Sequence, residues 1–599
     1  MNEKISMKKS IKLFFYGNRL MIDASKGKYF ILIFLSIFGG VTSPINALIW
    51  EKFLDRLVRI DGGIKIEFID WYYLVMLSIM PFLGYIINIF LQYIKQTYSD
   101  QMNLFITERV LGKALELPME KYDDSSVYND MNIAITRTTQ NCMGLLDSIT
   151  EIIYYLVQIM SFIIILLYFD WKIIVLSVLG ALPALYVSIQ ANKHWFNTLN
   201  NRIEKLRHID YLKGLLIKNE YIKETRLYNM GNKILTYIKK CFNSFILEDA
   251  KARKRIFAKK TLVQFFDEII TFVVKIWILV LSISQHRAVG SIVLYFNSHE
   301  SLKSSLMSFL SELAKIQDNI LYLQILERVD KLEVVYKNRC NKDMPPFEKI
   351  EFRNVSFSYP GQNRPVIKNV SLVFEKGKTY SIVGLNGAGK TTLLKLLLGL
   401  YEPVTGEILL NGERLNDINI ASYYLHISAV FQDFIKYPFT IEGNISTDLD
   451  KASEENVYQS IKYACLEDMI KKLPNGIKTI LMREWNGGIE LSQGQWQKIA
   501  IARCFYRQSD IMILDEPFSS IDIESENYIV KNIKRFGNKK MNIFITHHFS
   551  SISMADKVIV MDDGKVIEQG THDELIQKKG KYFELYSEQL ETLKKVNAC

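Results

Sequence analysis

Six apolar stretches, each close to the ~20 residues an α-helix needs to cross a hydrocarbon layer, constrain this chain more than any other feature. They cover approximately residues 29–50, 71–93, 152–169, 173–189, 262–284 and 290–310. No water inside a bilayer competes for backbone N–H and C=O groups, so such segments are expected to be helices that satisfy their own hydrogen bonds. The first, YFILIFLSIFGGVTSPINALIW, carries no charge at all, which fits poorly with the alternative of helices buried in a large soluble protein. It is also too long for a signal-peptide core and lacks a small-residue cleavage pattern after it, so it is read as retained. Only Asp170, Trp171 and Lys172 mark a turn between the third and fourth stretches. An even number of spans puts both termini on one side.

Basic residues orient that side. The opening segment holds Lys4, Lys8, Lys9, Lys12, Arg19, Lys26 and Lys28, and region 192–260 is equally rich in Lys and Arg, so both are expected to face the cytoplasm of a cell membrane. The loop 51–70, with Lys52, Arg56, Arg59 and Lys65, weakens the rule. The formal charge of +10 is thereby assigned to basic cytoplasmic loops, and no nucleic-acid partner is expected. The cysteines Cys142, Cys241, Cys340, Cys465, Cys504 and Cys599 are scattered, without C-x-x-C spacing or a nearby His cluster, so neither a zinc site nor a disulfide framework is indicated. The polar segments 94–150 and 190–261 show helical periodicity and read as membrane helices continuing into the cytoplasm, each presenting a turn to a soluble domain.

Apolar density falls near Glu327, and a charged segment containing Pro345 and Pro346 follows. The expected organisation is a membrane α-helical domain over 1–327, a linker over 328–346, and an α/β domain over 347–599, where β-branched runs alternate with amphipathic helices. In that last part YSIVGLNGAGKTTLLKLLLG reads as a strand, a glycine-rich loop (Gly384, Asn386, Gly387, Gly389) and a helix. This is the P-loop pattern in the context it requires. Glycines let backbone N–H groups close on phosphate oxygens, and the helix N-terminus adds favourable dipole charge. Lys390 is expected to reach the β- and γ-phosphates, Thr391 to offer its hydroxyl to Mg²⁺, and Thr392 to support the phosphates. Downstream, DIMILDEP is an apolar strand ending in two acids. Asp515 is placed to hold Mg²⁺ through water, and Glu516 to polarise the water that attacks the γ-phosphate.

Taken together, the P-loop, LSQGQ (491–495), ILDEP and IFITHHFS resemble an ATP-binding cassette (ABC) transporter, and the resemblance covers nearly the whole chain. With six spans before one cassette it looks like an exporter-type half-transporter, a family that works as dimers, so a second subunit, preferably identical, is implied. The resemblance implies further roles. Tyr359 matches the adenine-stacking aromatic, with an ordinary surface tyrosine as the alternative. Gln432 matches the glutamine that contacts Mg²⁺ or the attacking water, and His547 the switch histidine, although the adjacent His548 leaves that register open. Asp522 matches the aspartate that communicates across the dimer. Ser492, Gly494 and Gln495 belong to the signature that contacts ATP in the opposing subunit.

Gln493 stands where the signature usually has glycine; it is tolerable if its φ is negative, as a helix start allows. GGIELSQGQWQKIAIAR, with Trp496 after the final glutamine, is similar to the version in lantibiotic and bacteriocin exporters. The cargo implied is a modified peptide or other amphipathic molecule, with membrane lipid as surroundings and a peptide-modifying complex as a potential partner. A multidrug or lipid exporter of the same architecture, or a non-transporting sensor, immunity factor or regulator, are the alternatives. Finally, Asp267, Glu268 and Lys275 in the fifth stretch, and Asn297, His299, Glu300 and Lys303 in the sixth, are costly inside a bilayer. They are expected either to line a hydrated path, with Lys275 paired to Glu300, or to form a structural ion pair, or to lie at misjudged span ends.

Overall fold

The computed structural model describes residues 7–61, 68–334, 342–362, 364–448, 452–537, 539–546 and 549–587. They form two units: Met1–Ala114 with Asn129–Lys331, and Leu115–Tyr128 with Leu332–Cys599.

The first unit is helical: α1 (Met7–Ala24), α2 (Lys26–Asp61), α3 (Phe68–Leu115), α4 (Met119–Tyr122), α5 (Ser125–Leu167), α6 (Trp171–Ile217), α7 (Asn219–Leu227), α8 (Met230–Ser284) and α9 (Val289–Asp330), of which α4 falls in the second unit. At ~1.5 Å per residue, helices of 48 residues (α3) and 55 residues (α8) are more than twice as long as a hydrocarbon layer is thick, so each continues well past it. The tight reversal between α5 and α6 is set by Asp170, whose carboxylate caps α6 by accepting the Lys172 N–H at 3.0 Å. That carboxylate also accepts from the Trp277 indole at 3.2 Å.

Among the described residues, four segments are long and apolar enough to cross a membrane: Lys26–Val58, Trp71–Leu115, Ser126–Leu167 and Trp171–Ala191. The corresponding parts of α8 and α9 are diluted by the charged residues already named. No part of the most apolar window of α3 is buried, and Phe82, Tyr85 and Ile89 stand exposed on it, an apolar face suited to lipid. The interior of the unit includes Phe162, Leu166, Ile173, Val274 and Leu302, drawn from α5, α6, α8 and α9.

The second unit holds two sheets. The first, in order β2-β1-β4-β5, is antiparallel and consists of β1 (Lys349–Phe357), β2 (Ile367–Glu375), β4 (Thr405–Leu410) and β5 (Glu413–Arg414). The second, in order β10-β9-β3-β8-β7-β6, contains β3 (Thr379–Val383), β6 (Ile427–Val430), β7 (Ile511–Asp515), β8 (Met541–Ile545), β9 (Lys557–Asp562) and β10 (Lys565–Gly570). It is parallel except for the β9–β10 hairpin. Strands β3, β7 and β8 are buried along their whole length, as expected for a parallel sheet covered on both faces, and this is why they read as unbroken apolar runs. One core joins the antiparallel sheet to α10 (Lys390–Leu397), and a second packs the signature helix Gln493–Arg507 against the other side of the parallel sheet.

Candidate functional site

The carboxyl ends of β3 and β7, two strands that flank β8, bring the P-loop and the acidic pair together. Open parallel sheets bind ligands at such an edge. Gly384 leaves β3 with φ +154°, and a Cβ there would stand 2.2 Å from the Met561 carbonyl oxygen. Gly389 caps α10 in the left-handed region, at φ +96°, where a Cβ would meet Ile367 at 2.9 Å. Both positions therefore require glycine, and the loop they shape leaves Asn386 and Gly387 at the surface. Lys390, 7% exposed, turns its Nζ back to donate to the Gly384 and Leu385 carbonyls at 2.7 and 3.0 Å. Burial lowers its pKa, while Glu516 and Asp515 oppose that shift. Such an ammonium, held by two carbonyls inside a glycine cradle, suits a phosphate oxygen.

Asp515 ends β7 and accepts a hydrogen bond from the Thr391 hydroxyl at 3.1 Å. Burial, reinforced by Glu516 and Asp433, pushes its carboxyl up to about 6 against the opposing effects of Thr391 and Lys390. Glu516 follows with φ +47°, a conformation few non-glycine residues adopt, and its N–H is fixed by the Ile545 carbonyl at 2.8 Å. Gln432, two residues beyond β6, donates to Glu516 Oε2 at 3.1 Å. Thr391 and Asp515 are thus in contact, with Gln432 held on the neighbouring Glu516, and the side-chain oxygens of all three are of the hard type Mg²⁺ takes. Tyr359 donates to, or accepts from, the Thr392 hydroxyl at 3.1 Å, and its ring lies edge-on to Tyr401 with the Lys395 ammonium 5.4 Å from its centroid.

Ser492 caps the signature helix in a reciprocal box: its Oγ accepts from Gln495 N–H, and the Gln495 side chain accepts from Ser492 N–H. Gln493 is the first helical residue; it is exposed and absent from the residues with positive φ. Gly494 is different, because a Cβ there would stand 2.3 Å from the Ser520 carbonyl oxygen. Asp522 accepts from Ser525 N–H at 2.8 Å and pairs with Lys498 at 3.3 Å, and these contacts, the Ser525 bond foremost, draw its carboxyl down to about 2. His547 and His548 lie outside the described residues.

Three side chains that the sequence motifs did not single out complete this region. Gln497 donates to the Glu516 carbonyl and the Ser519 hydroxyl, both at 3.1 Å, and accepts from Ser520 N–H. It stitches the signature helix to the loop after the acidic strand. Arg503, on the same helix, donates to the Ile435 carbonyl, the Asn444 carbonyl and the Asn444 side chain at 2.7–2.9 Å, so the chain after Gln432 is pinned to that helix. Tyr401 donates to Asp123 at 2.8 Å, tying the 115–128 segment to the rim beside Tyr359. One weak signal was available for the first: Gln497 interrupts the apolar run of an amphipathic helix, where a buried polar residue needs a partner.

In the helical unit, Lys275 pairs with Glu300, and Lys303 pairs with the buried Asp267 at 2.5 Å while donating to Thr271 at 2.8 Å. Asp267 is therefore an interior residue. His299 shares a 2.7 Å hydrogen bond with Ser177, Glu268 accepts from Gln264 at 3.1 Å, and Asn297 is exposed.

Two family models match this chain, the ABC transporter transmembrane region over residues 29–208 and the ABC transporter model over residues 367–519. The chain is 28% identical over 573 residues to the subtilin transport ATP-binding protein SpaT of Bacillus subtilis, covering 93% of this chain and 91% of that one. It is 29% identical to the nisin transport ATP-binding protein NisT of Lactococcus lactis subsp. lactis, with 93% and 94% covered. An ATP-dependent lipid A-core flippase of Shigella flexneri is 26% identical, with 92% and 95% covered. Among solved structures, a bacterial Atm1-family ABC exporter with ATP bound superimposes with a TM-score of 0.75 at 20% identity, covering 96% of this chain and 98% of that one, which establishes the shared fold. With the transmembrane-region model and the ATP-binding model of one family both matched on a single polypeptide, this chain is a member of the ABC transporters, with the fold of the exporters.

Proposed function

We propose that the chain is one half of a dimeric, ATP-driven exporter of a lantibiotic or related modified peptide. The observation that carries the ATP-driven part is the convergence of Lys390, Thr391, Asp515, Glu516 and Gln432 at the strand ends of a cassette joined to membrane helices. Similarity to subtilin and nisin transport proteins along more than nine-tenths of the chain supports a peptide cargo. In this reading six helices span the cytoplasmic membrane of a bacterium, the termini are cytoplasmic, and two identical subunits pair.

The residues divide the work. Tyr359 stacks on the base, and the N–H groups around Asn386, Gly387 and Gly389 close on the phosphates with Lys390 and Thr392. Thr391, Asp515 and Gln432 would hold Mg²⁺, and the ion would supply charge neutralisation at the phosphate oxygens. Glu516 takes the proton of the attacking water, oriented by Gln432, and His547 is assigned to the γ-phosphate by its match to the family's switch histidine. Ser492, Gly494 and Gln495 complete the site of the other subunit, and Asp522 relays between the two. Nucleotide binding favours the closed pair of cassettes, so binding shifts the conformational equilibrium of the membrane path and hydrolysis resets it.

The test is ATPase activity of the reconstituted protein in the presence of nisin, subtilin, lipid A or a hydrophobic cationic dye. Stimulation by the peptides above the others supports the reading. Stimulation by lipid A or the dye alone replaces the cargo, and nucleotide binding with no stimulation or transport by any probe would point to a regulator.

A further inference from the structure

A cavity of about 880 Å³ lies between α6 and α8, beyond the ends of their apolar segments and on the side that is cytoplasmic in the orientation proposed above, on which this inference rests. Its outer rim is close to the membrane surface: the apolar part of α6 ends at Ala191, and that of α8 begins near Leu262, so Gln190, Arg255 and Lys259 stand within about two helical turns of those ends. Its wall there is apolar, through Val187, Ala191 and Ile256.

The charge inside is unbalanced. Both carboxylates lining the cavity, Glu248 and Asp249, are taken up by a single buried cation, Arg202, at 2.7 and 2.9 Å. Arg202 is fixed further by the Phe245 ring, 4.5 Å from its guanidinium carbon. Lys259 donates to the neutral Gln190 at 3.0 Å. Lys251 and Arg255 also line the cavity, and among the described residues neither forms an ion pair. Three cations therefore face the space without a carboxylate of their own, beside an apolar wall and at headgroup depth.

We propose that this cavity binds the phosphate of an anionic phospholipid from the cytoplasmic leaflet, with Arg255 and Lys259 on the phosphate, Lys251 deeper, and Val187 and Ile256 against the glycerol and upper acyl region. Basic pockets between membrane helices on this side suit such headgroups, and each cation near the surface contributes to their attraction. Because α6 and α8 carry the cytoplasmic turn around α7, an occupied cavity would brace the helix pair on which that turn is mounted. The site involves none of the residues assigned to ATP.

The experiment is native mass spectrometry of the full-length protein exposed to equimolar phosphatidylglycerol and phosphatidylcholine, with its basal ATPase in phosphatidylcholine vesicles as the folding control. The wild type is expected to retain phosphatidylglycerol preferentially. Arg255→Gln with Lys259→Gln is expected to lower that preference about fivefold per cation removed, with basal ATPase unchanged. If that double variant fails the control, Lys251→Gln alone is expected to show a single-cation loss. Equal retention of the two lipids by the wild type, or the same preference in a folded variant, would overturn the proposal. Displacement of the lipid by an equal concentration of inorganic phosphate would assign the cavity to a soluble anion instead.

Discussion

Gln493 and Gly494 are neighbours under unequal constraints. The first is exposed at a regular helix start, whereas the second has the Ser520 carbonyl oxygen where a Cβ would go. Gly494→Ala is therefore expected to reduce phosphate release about tenfold or more by displacing the signature from the loop after the acidic strand. Gln493→Gly is expected to change it less than about threefold, since it alters only local helix preference; a large rise would show that the glutamine impairs the site. Asp515 offers a pH test. Its folded-state carboxyl titrates near 6 rather than at the ordinary 3.8, so the neutral form is the one the fold favours. That contribution is full below about pH 4 and lost as pH rises through 6. Asp515→Asn should raise the thermal midpoint of the nucleotide-free protein near neutral pH and do so much less near pH 4, as scanning fluorimetry would record. The same acid is legible in the sequence, as are Lys390, Thr391 and Glu516, because each acts within a contiguous strand–loop–helix motif. Gln497 is not, since its partners Glu516, Ser519 and Ser520 lie 19–23 residues away and meet it only once the signature helix has packed.

Elements are joined by side chains that span long sequence separations. Arg503 holds the segment from Ile435 to Asn444 with three hydrogen bonds, 59 or 68 residues distant, and stacks on Tyr437 at 4.8 Å. A lysine keeps the charge but not the planar fork, so Arg503→Lys is expected to cost ~1–3 kcal/mol, seen as a lower thermal midpoint. Tyr401 and Asp123, 278 residues apart, connect the cassette to the 115–128 segment. Losing one partly buried hydrogen bond of ~1 kcal/mol shifts a docking equilibrium about fivefold. Tyr401→Phe should accordingly leave basal ATPase nearly unchanged and weaken its stimulation by cargo; equal stimulation in wild type and variant would remove the tyrosine from coupling. Apolar alternation announced an α/β cassette, but the strand order, with β8 between β3 and β7, follows from which buried faces fit and is not written in any one strand. The pairings of Asp267 with Lys303 and of Lys275 with Glu300 are likewise not written in either stretch, and they offset much of the cost of charge in an apolar setting.

At the scale of the molecule, a helical unit with a lipid-suited surface and a cassette with an assembled acid, amide and P-loop lysine account for an ABC transporter of the exporter fold. Apolar run length made the membrane half legible. The peptide cargo is proposed on resemblance alone, because no short motif encodes which molecule a set of packed membrane helices accepts. The central claim is that hydrolysis at Glu516 drives export. The most direct measurement is accumulation of labelled subtilin or nisin inside inside-out proteoliposomes, with the wild type compared with Glu516→Gln. The account predicts uptake that requires ATP and falls about a hundredfold or more in the variant while nucleotide binding persists. Equal uptake by the two proteins, or uptake by the wild type without ATP, would contradict it.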